Sequence, residues 1–117
     1  MAKDYITKYE NSATNAEIAI SGSEIFFSSE ATRQAITKHK QNFNYLEIIN
    51  DDDKNLKIRL DGLTTRERIL FAKAGMVIKA DDDIYFSTLE VINTSGSVVV
   101  AAGKIRLNIR IMELKNG

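Results

Sequence analysis

The residues best suited to chemistry in this sequence lie in one turn, residues 50–55, which we call the first acidic turn. Asp51, Asp53 and Asn55 place oxygen donors at alternate positions, as the first three ligands of a calcium-binding loop do. The loop pattern then fails, because a leucine stands at its sixth position, where glycine is required, and a glycine stands at its twelfth, where a bidentate carboxylate is required. We therefore interpret the segment as a solvated turn and retain the three residues only as metal candidates.

A second cluster, the three consecutive aspartates at 81–83, is called the second acidic turn. It could add metal ligands only if both turns lay at the same end of the fold, and exposed carboxylates also protect sheet edges from association. His39 is the single histidine and has no cysteine to complete a metal site with it. We expect His39 to be an exposed loop or strand residue.

Composition excludes several classes of protein. The chain has 117 residues, the size of one domain, and its 16 lysines and arginines balance 16 aspartates and glutamates. This neutrality argues against a general nucleic-acid binder. The sequence contains neither a Gly-x-Ser-x-Gly nucleophile motif nor a glycine-rich phosphate-binding loop. We predict a non-catalytic protein that has no cofactor and does not bind nucleic acid.

The longest apolar run, residues 98–102, is far shorter than the roughly 20 residues that a membrane helix needs. The opening residues are charged and polar and lack the apolar segment of a secretory signal. These features predict a protein that is made in a cytoplasm and has no membrane partner.

The elements that must position these residues are strands. Apolar and polar residues alternate strictly over residues 55–60 and 104–111, which is typical of a strand with one buried and one hydrated face. Turn signals recur about every ten residues, as in a β-sandwich or barrel. We predict an all-β, antiparallel β-sandwich of jelly-roll or immunoglobulin-like type. Its inward residues are Leu46, Ile48, Leu56, Ile58, Leu60, Ile105, Leu107 and Ile109.

The other elements follow from shorter patterns. Residues 45–60 are interpreted as a hairpin, with one strand on each side of the first acidic turn. Further strands are expected at residues 16–20, 24–27, 69–72, 76–79, 84–92 and 98–101. Residues 30–40 fit either a three-turn helix after a serine cap or an irregular strand over 33–37, and the neighbouring strands favour the strand.

Residues 1–117 are expected to form one domain, since no linker, repeat or low-complexity tract divides them. Residues 1–15 have two interpretations, either as part of the strand set or as an extended arm that reaches a neighbouring molecule.

Several side chains are candidates for partner binding. Lys104, Arg106 and Arg110 share one face of the last predicted strand and could hold phosphates or an acidic surface, although a plain solvent-facing stripe looks the same. Tyr5 and Tyr9 lie in polar surroundings, where tyrosines serve either an interface or the edge of their own domain.

The remaining aromatic residues divide by their surroundings. Phe26, Phe27, Phe71 and Phe86 fall inside apolar runs and are predicted to be core residues. Phe43 and Tyr45 stand in an amide-rich stretch, so we group them with Tyr5 and Tyr9.

A resemblance emerges from three stretches between residues 45 and 112. They are YLEIINDDDKNLKIRLDG at 45–62, FAKAGMVIK at 71–79 and TLEVINTSGSVVV at 88–100. This succession of strands and Asn-Asp or Gly turns resembles the small β-sandwich virion proteins of tailed bacteriophages, which are capsid decoration, neck, tail or fibre-associated subunits. No catalytic or ligand residue carries over from that group.

The resemblance implies a structural subunit of a phage particle, made in the host cytoplasm and located in the virion. It would contact other copies of itself and other virion proteins. The sequence has no proline, a residue that often protects a sandwich edge, which is consistent with edges covered in an assembly.

The sequence is also compatible with two other functions. One is a carbohydrate-binding β-sandwich module, assisted by calcium at Asp51, Asp53 and Asn55. The other is a small regulator that binds another protein through its basic strand.

Overall fold

The computed structural model describes residues 3–115, which form eight β-strands, one α-helix and two short 3-10 turns. The strands are β1 (Tyr5–Thr14), β2 (Ser23–Phe26), β3 (Tyr45–Asn50), β4 (Leu56–Leu60), β5 (Glu67–Leu70), β6 (Ala74–Ile78), β7 (Leu89–Ile92) and β8 (Ile105–Leu114). The helix α1 covers Glu30–His39, and the 3-10 turns cover Thr64–Arg66 and Ala80–Asp82.

The strands form two four-stranded antiparallel sheets that pack face to face. The first sheet has the order β1-β8-β3-β6 and the second has the order β2-β7-β4-β5. The pairing is therefore symmetric about the middle of the chain: β1 pairs with β8, β2 with β7, β3 with β6 and β4 with β5. This order defines a jelly roll, a double sheet of eight strands. The predicted all-β sandwich is confirmed, and it forms the jelly-roll arrangement.

Alternation along the strands builds the core between the sheets. On β4, Ile58 is fully buried, whereas its neighbours Lys57 and Arg59 face outward. The predicted inward set is confirmed, since none of its members is more than 3% exposed: Leu46, Ile48, Leu56, Ile58, Leu60, Ile105, Leu107 and Ile109.

The aromatic residues follow the prediction only in part. Phe26, Phe27 and Phe86 are buried, as expected. The prediction for Phe71 is wrong, because its side chain is 58% exposed: Leu70 takes the inward position and the next residue faces outward. Phe43 is 0% exposed, and its ring lies 5.8 Å from that of Phe86, so its polar sequence neighbours are a poor guide to its place.

Residues 30–39 form a helix, so the preference for a strand was wrong. The Ser29 hydroxyl accepts a hydrogen bond from the Thr32 backbone N–H and caps the first turn. Lys40 ends the helix in a left-handed conformation, with φ at 53°. Thr32 and Ala35 are the buried residues of the helix, and a stripe this narrow gives little apolar periodicity for a sequence pattern to reveal.

The first acidic turn does not close a hairpin. The strands on either side of it, β3 and β4, belong to different sheets, so the turn carries the chain across the sandwich. A local sequence pattern identifies two strands and a turn, but it does not tell a hairpin from a crossing between sheets.

Several predicted strands are shorter than expected. Of residues 84–92, only Leu89–Ile92 form a strand. The expected strands at 16–20 and 98–101 reduce to a single bridge between Ile18 and Val100. In the loops that contain these residues, the backbone forms hydrogen bonds with other partners.

Buried asparagine side chains supply hydrogen bonds to the backbone of the loops. Asn93 is 0% exposed and its amide nitrogen lies 3.1 Å from the Ala19 carbonyl oxygen and 2.8 Å from that of Val98. Asn15 accepts a hydrogen bond from the Ile105 backbone N–H at 2.8 Å. Asn50 joins the first acidic turn to the loop after β5, since its amide nitrogen lies 3.1 Å from the Phe71 carbonyl oxygen. Each side chain supplies hydrogen bonds at a place where the ladder between strands has ended.

The N-terminal segment forms an edge strand. β1 pairs with β8 from Tyr5 opposite Leu114 to Thr14 opposite Arg106, and Lys8 forms a bulge in the pairing. Residues 5–14 thus pair within their own chain, and residues 1 and 2 lie outside the described residues.

We expect the substitution Ile58→Asp to unfold the domain. The side chain is 0% exposed between the sheets, and an unpaired carboxylate buried there costs several kcal/mol or stays protonated with a raised pKa. Thermal unfolding followed by circular dichroism measures the effect. Ile25→Asp is the matched control, because Ile25 is 58% exposed on β2. An Ile58→Asp protein that melts like the wild type would refute this placement.

Candidate interaction surfaces

The predicted basic stripe lies on the outer face of the first sheet, which we call the polar face. Arg106, Asn108 and Arg110 alternate with buried residues of β8 and so project together from the side opposite the core. Glu10 of β1 and Tyr45 of β3 lie directly opposite Arg110 on its two neighbouring strands.

The arginines of the polar face are already paired within the molecule. Arg106 lies 3.0 Å from the Asp51 carboxylate, and the Nε of Arg110 lies 2.9 Å from that of Glu10. The guanidinium of Arg110 also stacks over the Tyr45 ring, 4.5 Å from its centre. Lys104 is exposed in the turn before β8. The stripe is therefore a mixed polar surface and not a row of free cations.

Hydrogen bonds tie the polar face together. Asn108 donates to the Ser12 hydroxyl at 2.9 Å and to Glu10 at 3.1 Å. The Tyr45 hydroxyl lies 3.3 Å from the Glu47 carboxylate. Burial and the negative charge of Glu47 together raise the pKa of Tyr45, despite the opposing effect of Arg110, so the phenol stays neutral at physiological pH.

A shallow groove of about 490 Å³ runs across the polar face. Its side chains come from β1, β3 and β8 and include Ser12, Thr14, Glu47, Ile49, Arg106 and Asn108. The groove offers hydroxyl, amide, carboxylate and guanidinium groups on a rigid sheet.

The two candidate tyrosines point to different sides of the first sheet. Tyr9 faces inward, and its ring stacks on Phe43 with the ring centres 6.1 Å apart. Tyr5 lies opposite Leu114, at the far end of β1 from Arg106. The structure therefore does not gather the five predicted partner-binding residues into one site.

The metal candidates of the first acidic turn are engaged in other contacts. Asp51 pairs with Arg106, and the Asp53 carboxylate, which is 91% exposed, lies 3.4 Å from the Lys73 ammonium. Asn55 accepts a hydrogen bond from the Ala72 backbone N–H at 2.9 Å.

Between these candidates, Asp52 is buried and holds the turn in shape. Burial tends to raise the pKa of its carboxyl, but the hydrogen bonds that it accepts from the Lys54 backbone and side chain outweigh burial and lower it. The second acidic turn lies at the opposite end of the sandwich, after β6, so the two turns cannot combine ligands. Among residues 3–115, no group of three or more acidic, histidine or cysteine side chains is arranged to hold a metal ion.

The outer face of the second sheet is crossed by ion pairs. Arg59 lies between two carboxylates, 2.7 Å from Glu67 and 3.3 Å from Glu90, and Lys57 lies 3.3 Å from Glu67. The hydrogen bond from Arg59 is the main cause of the lowered pKa of Glu67. Most charged side chains of this face are therefore paired with an opposite charge of the same molecule.

One side of the sandwich differs from both faces, and we call it the open side. It is formed by β5 and β6, which are consecutive in the chain and are the edge strands of the two sheets. Ile69, Phe71 and Val77 are 53%, 58% and 45% exposed there. β6 carries no charged residue along its length, although Lys73 and Lys79 stand at its two ends. Such an edge is suited to contact with another polypeptide.

Asp61 anchors the loops near the helical end of the sandwich. One oxygen of its carboxylate accepts from the Ser87 and Thr88 backbone N–H groups at 2.7 and 3.1 Å, and the other lies 2.7 Å from Arg66. Burial tends to raise the pKa of Asp61, but these hydrogen bonds and the charge of Arg66 outweigh burial and lower it. Sequence reasoning missed this role, because an Asp-Gly pair after a strand signals only a turn.

Comparisons with protein-family models, with curated proteins and with solved structures find no match to this chain. Within the described part of the chain, no helix combines the length and the apolar character needed to cross a bilayer.

We expect Asp61→Asn to lower the free energy of unfolding by about 1–2 kcal/mol at neutral pH, because the side chain at this position would no longer be a charged hydrogen-bond acceptor. Since the folded pKa lies below the unfolded value, the stabilisation by Asp61 is complete above the unfolded pKa and disappears as the pH falls through the folded pKa. Urea unfolding of both proteins between neutral and strongly acidic pH should show the difference narrowing with acid. A difference independent of pH would contradict this role. Asparagine tolerates the left-handed backbone at this position, where φ is 55°.

Proposed function

We propose that this chain is a non-catalytic structural subunit of a bacteriophage particle, located in the virion and made in the host cytoplasm. It would work through contacts with other copies of itself and with other virion proteins. The resemblance over residues 45–112 supports this proposal, and so does the jelly-roll strand order, which recurs in viral capsid domains.

The observation that carries the proposal is the open side. An edge strand presents unpaired backbone groups to solvent, and monomeric proteins commonly protect it with charges, proline, a bulge or a covering segment. Here β6 pairs regularly with β3 on one side and has no charged residue. The edge strand of the other sheet, β5, carries the exposed side chain of Ile69, and the exposed Phe71 follows it. Burial of these apolar groups against a second polypeptide would stabilise an assembly.

We expect the wild-type protein to form an oligomer of constant size over a wide concentration range, as measured by size-exclusion chromatography with light scattering. The double substitution Ile69→Thr and Phe71→Thr should dissociate it, because it removes the exposed apolar groups of the open side without changing charge. Val98→Thr is the control, since Val98 is 51% exposed in the loop between β7 and β8.

A wild-type protein that stays monomeric at high concentration would refute assembly. A double variant that keeps the wild-type stoichiometry would show that the open side is not the contact.

A second candidate function is a carbohydrate-binding module, and the groove on the polar face favours it. Jelly rolls also occur as lectin domains, and amide, carboxylate and guanidinium groups can each engage sugar hydroxyls. The calcium-assisted version loses support, because Asp51, Asp53 and Asn55 are engaged in contacts within the chain.

Isothermal calorimetry with a panel of soluble glycans tests this alternative. A module would bind a glycan in the absence of calcium, and Asn108→Ala would abolish the heat, because the Asn108 amide lies in the groove. Binding that requires calcium and disappears in Asp51→Ala would instead restore the first acidic turn as a ligand site. No heat with any glycan would leave the structural subunit as the supported function.

A further inference from the structure

A groove between α1 and β1 gathers basic side chains that form no ion pair within residues 3–115. It has a volume of about 470 Å³ and is lined by Lys8 of β1 and by Lys38 and His39 near the end of α1. Tyr9, Gln34 and two alanines complete the lining, and within residues 3–115 no acidic side chain contributes to it. We call this cavity the basic groove.

Local structure explains the basic groove. Lys8 is the extra residue of the β1 bulge, and bulges redirect side chains relative to the regular alternation. Lys38 and His39 lie in the last turn of α1, where the Lys38 cation interacts favourably with the helix dipole. In the described part of the chain neither lysine nor the histidine forms an ion pair, in contrast to Arg106 and Arg110 of the polar face.

The matching surface is the second acidic turn. Asp81, Asp82 and Asp83 are all exposed, and none of them forms an ion pair within residues 3–115. The backbone of the turn is held in place, because Asp82 accepts a hydrogen bond from the Lys79 backbone N–H at 2.8 Å. The first acidic turn differs, since its carboxylates have cations beside them in the same molecule.

The two surfaces cannot meet within one molecule. The basic groove lies on β1, and the second acidic turn follows β6; these strands are the opposite edges of the first sheet. Three strand spacings, about 14 Å, separate the edges. Both surfaces lie at the same end of the sandwich, where the chain leaves β6 and enters β3, because Lys8 of β1 is level with the part of β8 that pairs with the start of β3.

We propose that the second acidic turn of one copy binds in the basic groove of the next copy. The contact is head-to-tail, and a rotation that closes would generate a ring. The open side faces the same neighbour as the second acidic turn, because both belong to the β6 edge, so apolar and charged contacts would form one continuous interface. This inference rests on the proposed assembly and specifies its geometry.

Two separate variants test the contact. The turn variant carries Asp81→Asn, Asp82→Asn and Asp83→Asn, which keep side-chain shape and remove the charge. The groove variant carries Lys8→Gln and Lys38→Gln on two other elements. Asp53→Asn and Lys104→Gln are the controls, because they remove exposed charges of the same types elsewhere. Circular dichroism and thermal unfolding establish that each protein folds.

Analytical ultracentrifugation measures the result. We expect each test variant to weaken self-association by about tenfold or more, and added salt to weaken wild-type association, because the contact depends on opposite charges. The controls should associate like the wild type. Mixing the two test variants should restore one intact interface per pair, and therefore yield a one-to-one heterodimer that does not grow further.

The outcomes separate the two proposals. Test variants that both assemble like the wild type would overturn the head-to-tail contact and leave the proposed assembly intact. Weakened variants whose mixture forms no heterodimer would overturn the pairing of turn with groove. A wild-type protein that is monomeric at every concentration would refute the proposed assembly itself.

Discussion

The fold depends on satisfying backbone polar groups where strands end and the chain passes between sheets. Asn15, Asn50 and Asn93 do this with buried side-chain amides that donate to and accept from the backbone of neighbouring loops. The loops contain backbone donors and acceptors outside the strand ladders, and a buried group of this kind that is left unpaired costs more free energy than a typical hydrogen bond contributes. The buried amides thus let the two sheets close over one apolar core.

The same constraint decides which surfaces remain available for partners. The loops at one end are held by asparagines, and Asp61 holds two loops at the other. Both outer sheet faces neutralise most of their charge internally, through Arg110 on one and Arg59 on the other. Within residues 3–115, the groups without an internal partner include the apolar groups on the open side, the lysines of the basic groove and the carboxylates of the second acidic turn. The proposed contacts with other polypeptides use these edges of the sandwich.

Much of the fold was predictable because alternation is a local property. The pattern around Ile58 and Ile109 identifies which side chains enter the core, and both are fully buried. Pairing is not local: the sequence predicts two strands around the first acidic turn, but their separation into different sheets depends on the whole chain. For the same reason the sequence identified the candidate arginines, and Asp51 as a metal candidate, but not the pairing of Arg106 with Asp51 or of Arg110 with Glu10. Phe71 was misplaced because an apolar run does not reveal which of its members faces inward.

The pairing of β1 with β8 has a mechanical consequence. Tyr5 lies opposite Leu114, so the start of β1 and the end of β8 lie side by side at the same end of the sheet. Tension applied between these residues would load the interstrand hydrogen bonds one after another, because in an antiparallel pair those bonds lie perpendicular to the strands. The pair would therefore separate one hydrogen bond at a time from that end, under modest force. A pull along the strands would load all of these hydrogen bonds together and would meet more resistance.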